Sequence, residues 1–78
     1  MNDPILLNQL SPGQKGIVSQ ITTDGSIRRR ILDLGIIDGT EIELLYKNPS
    51  GNPIAYLIRG AVIALRSDVT EHILVLTI

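Results

Sequence analysis

Thr40-Glu41-Ile42-Glu43-Leu44-Leu45-Tyr46-Lys47, followed by Asn48-Pro49-Ser50-Gly51-Asn52-Pro53 and then Ile54-Ala55-Tyr56-Leu57-Ile58-Arg59, is the stretch that decides the fold. Its first eight residues alternate. Ile42, Leu44 and Tyr46 point one way and Glu41, Glu43 and Lys47 the other, the period-two signature of a strand with one buried and one wet face. The next six are all Pro, Gly, Asn or Ser, residues that preset or tolerate turn geometry. Ile54, Tyr56 and Ile58 then resume the alternation, so the whole stretch reads as a β-hairpin.

Working outward, Gly60 breaks the run, and residues 61–66 and 72–78 supply two further strands rich in aliphatic side chains. Between them, residues 67–71 suit a single helical turn that Ser67 can cap, with Asp68 at the positive end of its dipole. Toward the N-terminus, Ser11-Pro12-Gly13-Gln14 is a turn signal. Residues 15–22 follow as a first strand, with Ile17, Ser19 and Ile21 on one face and Val18, Gln20 and Thr22 on the other. The segment from Ser26 to Gly35 departs from this rhythm: Ile27, Ile31 and Leu34 fall at i, i+4 and i+7, which predicts an amphipathic helix. Asp24 or Ser26 can cap its start, and Gly35 can take the left-handed conformation that ends it. Five strands with one helix between the first two and a helical turn before the last, in 78 residues, make a small, partly open barrel occupying residues 1–78 as a single domain.

Composition narrows the function. The chain has thirteen Ile, eleven Leu and four Val but two Tyr and neither Phe nor Trp, so its core is aliphatic and it lacks the aromatic platform on which single-stranded nucleic acid stacks. A formal net charge of −1 at pH 7 lacks the basic field of a phosphate-backbone binder. No cysteine means no disulfide and no thiolate-ligated zinc, and a single histidine excludes a site built on two imidazoles. No charge-free stretch approaches the ~20 residues of a spanning helix, and Met1-Asn2-Asp3-Pro4 has an acid where a secretory leader carries Lys or Arg. The expected setting is cytoplasmic, without membrane insertion. No phosphate-binding loop and no nucleophile-elbow motif occurs, so the chain is not expected to be an enzyme.

Three surfaces remain as candidates. Arg28, Arg29 and Arg30 concentrate positive charge on the exposed side of the predicted helix, where planar guanidinium forks can grip carboxylates of a partner. Asp24 and Asp33 are the intramolecular alternatives. Lys47, Asn48, Pro49 and Tyr56 around the hairpin tip form a second contact surface, and the open edge of an incompletely closed barrel offers a third, to another protein or to a second copy. Asp68, Glu71 and His72 are the only compact set of side chains able to bind Fe(II) or another divalent metal, and would make an open or intersubunit site.

The chain resembles the FeoA family, the small cytosolic component of bacterial ferrous iron transport. The resemblance is carried by Leu10-Ser11-Pro12-Gly13-Gln14-Lys15-Gly16, Arg29-Arg30-Ile31-Leu32-Asp33-Leu34-Gly35-Ile36, Gly39-Thr40-Glu41-Ile42, Gly51-Asn52-Pro53-Ile54, Arg59-Gly60, Ile63-Ala64-Leu65-Arg66 and Ile73-Leu74-Val75, in that order. Two positions depart from it: Asp38 stands where the family often has proline, and Val69-Thr70 where an acid followed by alanine is common. The resemblance implies an SH3-like barrel that docks on the FeoB-type membrane GTPase permease and regulates or assists it without catalysing a reaction. The same domain type occurs at the C-terminus of metal-dependent repressors resembling DtxR, so a metal-sensing regulatory domain is the alternative, with a nucleic-acid-associated barrel behind it. No DNA-binding helical region precedes the domain in this sequence, which favours the transport accessory.

Overall fold

A computed structural model describes residues 3–78 and places six strands and two short helices in the order β1 Ile5–Leu6, a 3-10 turn Leu7–Gln9, β2 Lys15–Ile21, α1 Gly25–Asp33, β3 Glu41–Lys47, β4 Ile54–Ile58, β5 Ala61–Leu65, α2 Ser67–Thr70 and β6 Ile73–Thr77. Met1 and Asn2, half of the N-terminal segment read above for a leader, lie outside the described residues. All pairings are antiparallel in one sheet of order β1-β6-β2-β3-β4-β5, rolled around the core but not closed, because β1 and β5 do not pair with each other. Mass scaling predicts a folded surface of roughly 4,700 Å² for a chain this size, and the accessible surface is 4599 Å².

The hairpin, the helix and the terminal strand stand where the sequence places them. Five strands were expected and six are present: β1, two residues long, pairs through Ile5 with Val75 and through Leu6 with Leu74. Two residues cannot display an alternation, so this strand leaves no periodic trace in the sequence.

Two bulges reassign faces. The register of β2 against β6 shifts between Val18 and Gln20, so Val18 and Ile21, three apart and on opposite faces of an unbroken alternation, both turn inward and are buried. The extra residue, Ser19, has its hydroxyl donating to the Leu74 carbonyl at 3.3 Å. On β3 the register shifts between Leu44 and Tyr46, so Ile42 and Leu44 are buried as expected but Tyr46 swings to the outer face and is 63% exposed.

The core is aliphatic except for Tyr56, which pairs with Leu44 on β3 and Ile63 on β5 and has no exposed surface. Its hydroxyl and that of Thr70 are buried, and neither has a partner of good hydrogen-bond geometry, although Thr70 stands close enough to temper the phenol's shift. Burial pushes the Tyr56 phenol from 10.0 up to about 12. The native state therefore retains a proton that the unfolded chain gives up, and stability that is full below pH 10 is lost as pH rises from about 10 toward 12. Tyr56→Phe is expected to abolish this alkaline loss and to change stability at neutral pH by no more than ~1 kcal/mol, because the hydroxyl it removes is unpaired. Urea denaturation at neutral and alkaline pH checks both; an undiminished alkaline loss in the variant would assign the titration elsewhere.

Helix α1 ends in a Schellman motif. Gly35 takes φ +83°, its N–H donates to Leu32 O at 2.9 Å, and the N–H of Ile36 donates back to Ile31 O at 3.2 Å. Ile31 and Ile36, the residues this motif brings together, are both fully buried. Caps are the point of difference at both helix starts. Asp24 occupies the N-cap position of α1 but makes no side-chain cap bond. In α2 the N-cap position is Arg66, and the N–H of Ser67 is taken by Asn52 Oδ1 at 3.0 Å while Asn52 Nδ2 donates to Ser67 Oγ at 3.1 Å. The hairpin loop thus caps α2 from fifteen residues away.

Candidate functional site

Outward-facing charge gathers on α1. With Ile31 fully buried and Ile27 and Leu34 packed against the core, the helix turns Arg28, Arg29 and Arg30 to solvent, and all three are exposed. Arg28 Nη1 donates to the Ile21 carbonyl at 3.4 Å, which fixes this side chain over the end of β2. Neither Asp24 nor Asp33 pairs with any of the three: among the described residues the carboxylate contacts of basic side chains are Lys15 with Glu41 at 3.9 Å and the His72 imidazole with Glu71 at 3.5 Å. The guanidinium charge therefore has no ion-pair partner among the described residues.

The residues that sequence reasoning missed sit beside Arg28 and Arg29. Leu32 is 40% exposed and Ile37, just past the helix, 48%. Gly25, Ser26, Arg28, Arg29, Leu32 and Asp33 line a groove of about 740 Å³, and Ile21, Arg28, Leu32, Ile37 and Asp38 line a hollow of about 300 Å³. Arg28 and Leu32, one helical turn apart, belong to both, so the two concavities share a wall with an apolar floor and a cationic rim. The signal for Leu32 was in the sequence: it is an aliphatic residue off the Ile27, Ile31, Leu34 stripe. Ile37 carried no periodic signal.

At the hairpin tip Lys47, Asn48 and Pro49 are exposed as the contact reading requires, but Tyr56 is not available to a partner, because alternation along β4 turns it into the core with Ile54 and Ile58. The exposed aromatic ring of this region is Tyr46, placed beside Lys47 by the β3 bulge. Arg59 plays a structural part. It holds φ +51° in the two-residue turn between β4 and β5, with Gly60 at +81°, the paired positive values of a type I′ hairpin. Its Nε donates to Gly35 O at 2.9 Å, tying this turn to the end of α1.

The metal candidates are only partly brought together. Glu71 Oε1 lies 3.5 Å from His72 Nε2, but no group of three or more His, Asp or Glu placed to hold a metal ion occurs among the described residues, so Asp68 does not complete a set with them. No helix among the described residues is long and apolar enough to cross a membrane.

This open six-stranded barrel with its two short helices matches the FeoA domain family model over residues 5–76. The chain belongs to the FeoA family. Its solved relatives include a FeoA-like protein from Clostridium acetobutylicum, 40% identical, with a TM-score of 0.88 over 96% of this chain and 87% of that one. Iron(II) transport protein A from Clostridium thermocellum is 27% identical with a TM-score of 0.92 over 95% of this chain, which spans 46% of that longer one. Two structures below 25% identity speak for the fold alone. Stenotrophomonas maltophilia FeoA complexed with zinc, described as an SH3 domain protein, is 24% identical with a TM-score of 0.80 over 91% of this chain and 88% of that one. A manganese-dependent transcriptional repressor is 22% identical with a TM-score of 0.89 over all of this chain and 38% of that one. The SH3-like fold expected of the FeoA resemblance is the fold observed. A search of curated proteins found no significant match.

Proposed function

We propose that this FeoA-family chain is a cytoplasmic accessory of ferrous iron uptake that docks on a FeoB-type GTPase permease and shifts its conformational populations, without catalysing a reaction itself. The observation that carries the reading is the α1 surface: three exposed guanidinium groups with no acidic partner among the described residues, two of them, Arg28 and Arg29, beside the exposed Leu32, and Arg28 beside Ile37. A partly exposed apolar centre within a charged rim is the anatomy of a protein interface, with the rim steering encounter and the centre supplying burial. The hairpin residues Lys47, Asn48 and Pro49, with Tyr46 in place of Tyr56, extend the contact. Family membership supports the iron-transport setting, and the related chain from Clostridium thermocellum is described as an iron(II) transport protein.

The second reading, a metal-sensing regulatory domain, is favoured by the fold shared with the manganese-dependent repressor and by the Glu71 and His72 pair. One experiment separates them. Deleting the gene in a strain whose permease is intact and assaying ferrous iron uptake is expected to lower uptake at unchanged permease transcript. Unchanged uptake would dismiss the accessory role, and altered transcript would favour the sensor.

A further inference from the structure

The turn between β4 and β5 gives its first position to an unexpected residue. Arg59 is the one non-glycine residue of positive φ among the described residues. Asn or Asp before Gly is the usual pair in a type I′ turn, and an arginine there carries backbone strain. The turn has no use for a guanidinium, but the side chain's contacts do. Arg59 Nε donates to the Gly35 carbonyl at 2.9 Å, and Nη2 reaches Thr40 Oγ1 at 3.5 Å. The stem lies flush on the end of α1: a Cβ on Gly35 would stand 3.3 Å from Arg59 Cδ and 3.4 Å from Nε.

These two acceptors bracket Ile37. Thr40 Oγ1 also accepts the N–H of Ile37 at 3.1 Å, and the Thr40 N–H donates to Ile37 O at 3.0 Å, so the Ile37 backbone hangs on Thr40 by both its polar groups. Fully buried Ile36 anchors one end of this segment, and Gly39, whose N–H donates to Val18 O at 2.7 Å, anchors the other. Ile37 itself is 48% exposed, so burial does little to fix it, yet it lines the hollow beside Arg28 and Leu32. We propose that Arg59 is a positioning residue for docking through α1: by clamping Gly35 and Thr40 from the β4–β5 turn it holds Ile37 at the wall of that hollow, so the apolar part of the contact is preorganised before a partner arrives. This rests on the docking role given above to α1.

The test compares the full wild-type chain with Arg59→Asn and Arg59→Lys, by amide hydrogen exchange and by titration with the purified cytosolic domain of a FeoB-type permease. Asn suits the turn and removes the guanidinium, while Lys keeps the charge and loses the planar fork. Both variants are expected to fold, to speed exchange of the Ile37 and Thr40 amides by about fivefold, the net worth of one hydrogen bond, and to weaken docking by about threefold or more. An arginine that served only its turn would be replaced by Asn without loss of docking. Wild-type docking by Arg59→Asn, or unchanged exchange at Ile37, would overturn the proposal and leave docking through α1 standing. Wild-type docking by Arg59→Lys would trace the effect to charge alone and overturn it too. A wild-type chain that does not dock through α1 would overturn both the proposal and the docking role on which it rests.

Discussion

Gly16→Ala is expected to destabilise the domain by about 2–3 kcal/mol, the upper range for forcing one extra carbon into a packed core, and to lower the melting temperature by roughly 10–20 °C for a chain of this size. Gly16 sits in the middle of the sheet, opposite Ile42 on β3 and Thr77 on β6. A Cβ there would stand 2.9 Å from both Cβ and Cγ2 of Val75 and 3.4 Å from the Leu76 carbonyl oxygen. The requirement is one of space: Gly16 is not among the residues with positive φ, and Ala would otherwise gain several tenths of a kcal/mol from the reduced freedom of the unfolded chain. Val75 Cβ cannot rotate away, so the strands themselves must separate. Thermal and urea unfolding measure the effect. A loss below ~0.5 kcal/mol would mean that β2 and β6 accommodate the methyl group by a small shift, and that the sheet at its centre is looser than described.

The second large effect falls on binding. Reversing Arg28, Arg29 and Arg30 together to Glu is expected to leave the fold intact, since among the described residues none of the three has an ion-pair partner and the one side-chain hydrogen bond is from Arg28, at 3.4 Å. It is expected to reduce association with the permease by about tenfold or more, because opposite charge at the rim becomes like charge and steering turns to repulsion. Expressed in the deletion strain, the variant should fail to restore ferrous iron uptake. Leu32→Asp should impair uptake by a different route, placing a charge in the partly exposed apolar centre shared by the groove and the hollow. Restoration to the wild-type level by the triple variant would remove α1 from the contact.

How far the sequence discloses this molecule depends on how far each feature is encoded locally. The β3–β4 hairpin is legible because its alternation and turn residues lie within one window, and α1 is legible because Ile27, Ile31 and Leu34 repeat at helical spacing and Gly35 follows. Long-range features are not. The β1 strand exists only through its partner residues Leu74 and Val75, and the cap of α2 comes from Asn52, whose reach to Ser67 no local pattern announces. The bulges at Ser19 and Leu45 are the most instructive misses, since one inserted residue flips every later side chain on its strand. That flip exposed Tyr46, which had been assigned to the core with Ile42 and Leu44. Tyr56 differs from the contact reading for another reason: it was grouped with the hairpin tip, but its place between Ile54 and Ile58 in the β4 alternation dictates burial. Of the candidate site, the arginines were legible in the sequence, while the exposure of Leu32 and Ile37 beside Arg28 required the fold.

The most direct measurement titrates the isotopically labelled chain with the purified cytosolic domain of a FeoB-type permease and follows backbone amides by NMR. Docking through α1 predicts shifts centred on Arg28, Arg29, Leu32 and Ile37, weakened by salt and lost in the triple Arg→Glu variant. Absence of binding, or binding that survives the charge reversal with its shifts elsewhere, would contradict it.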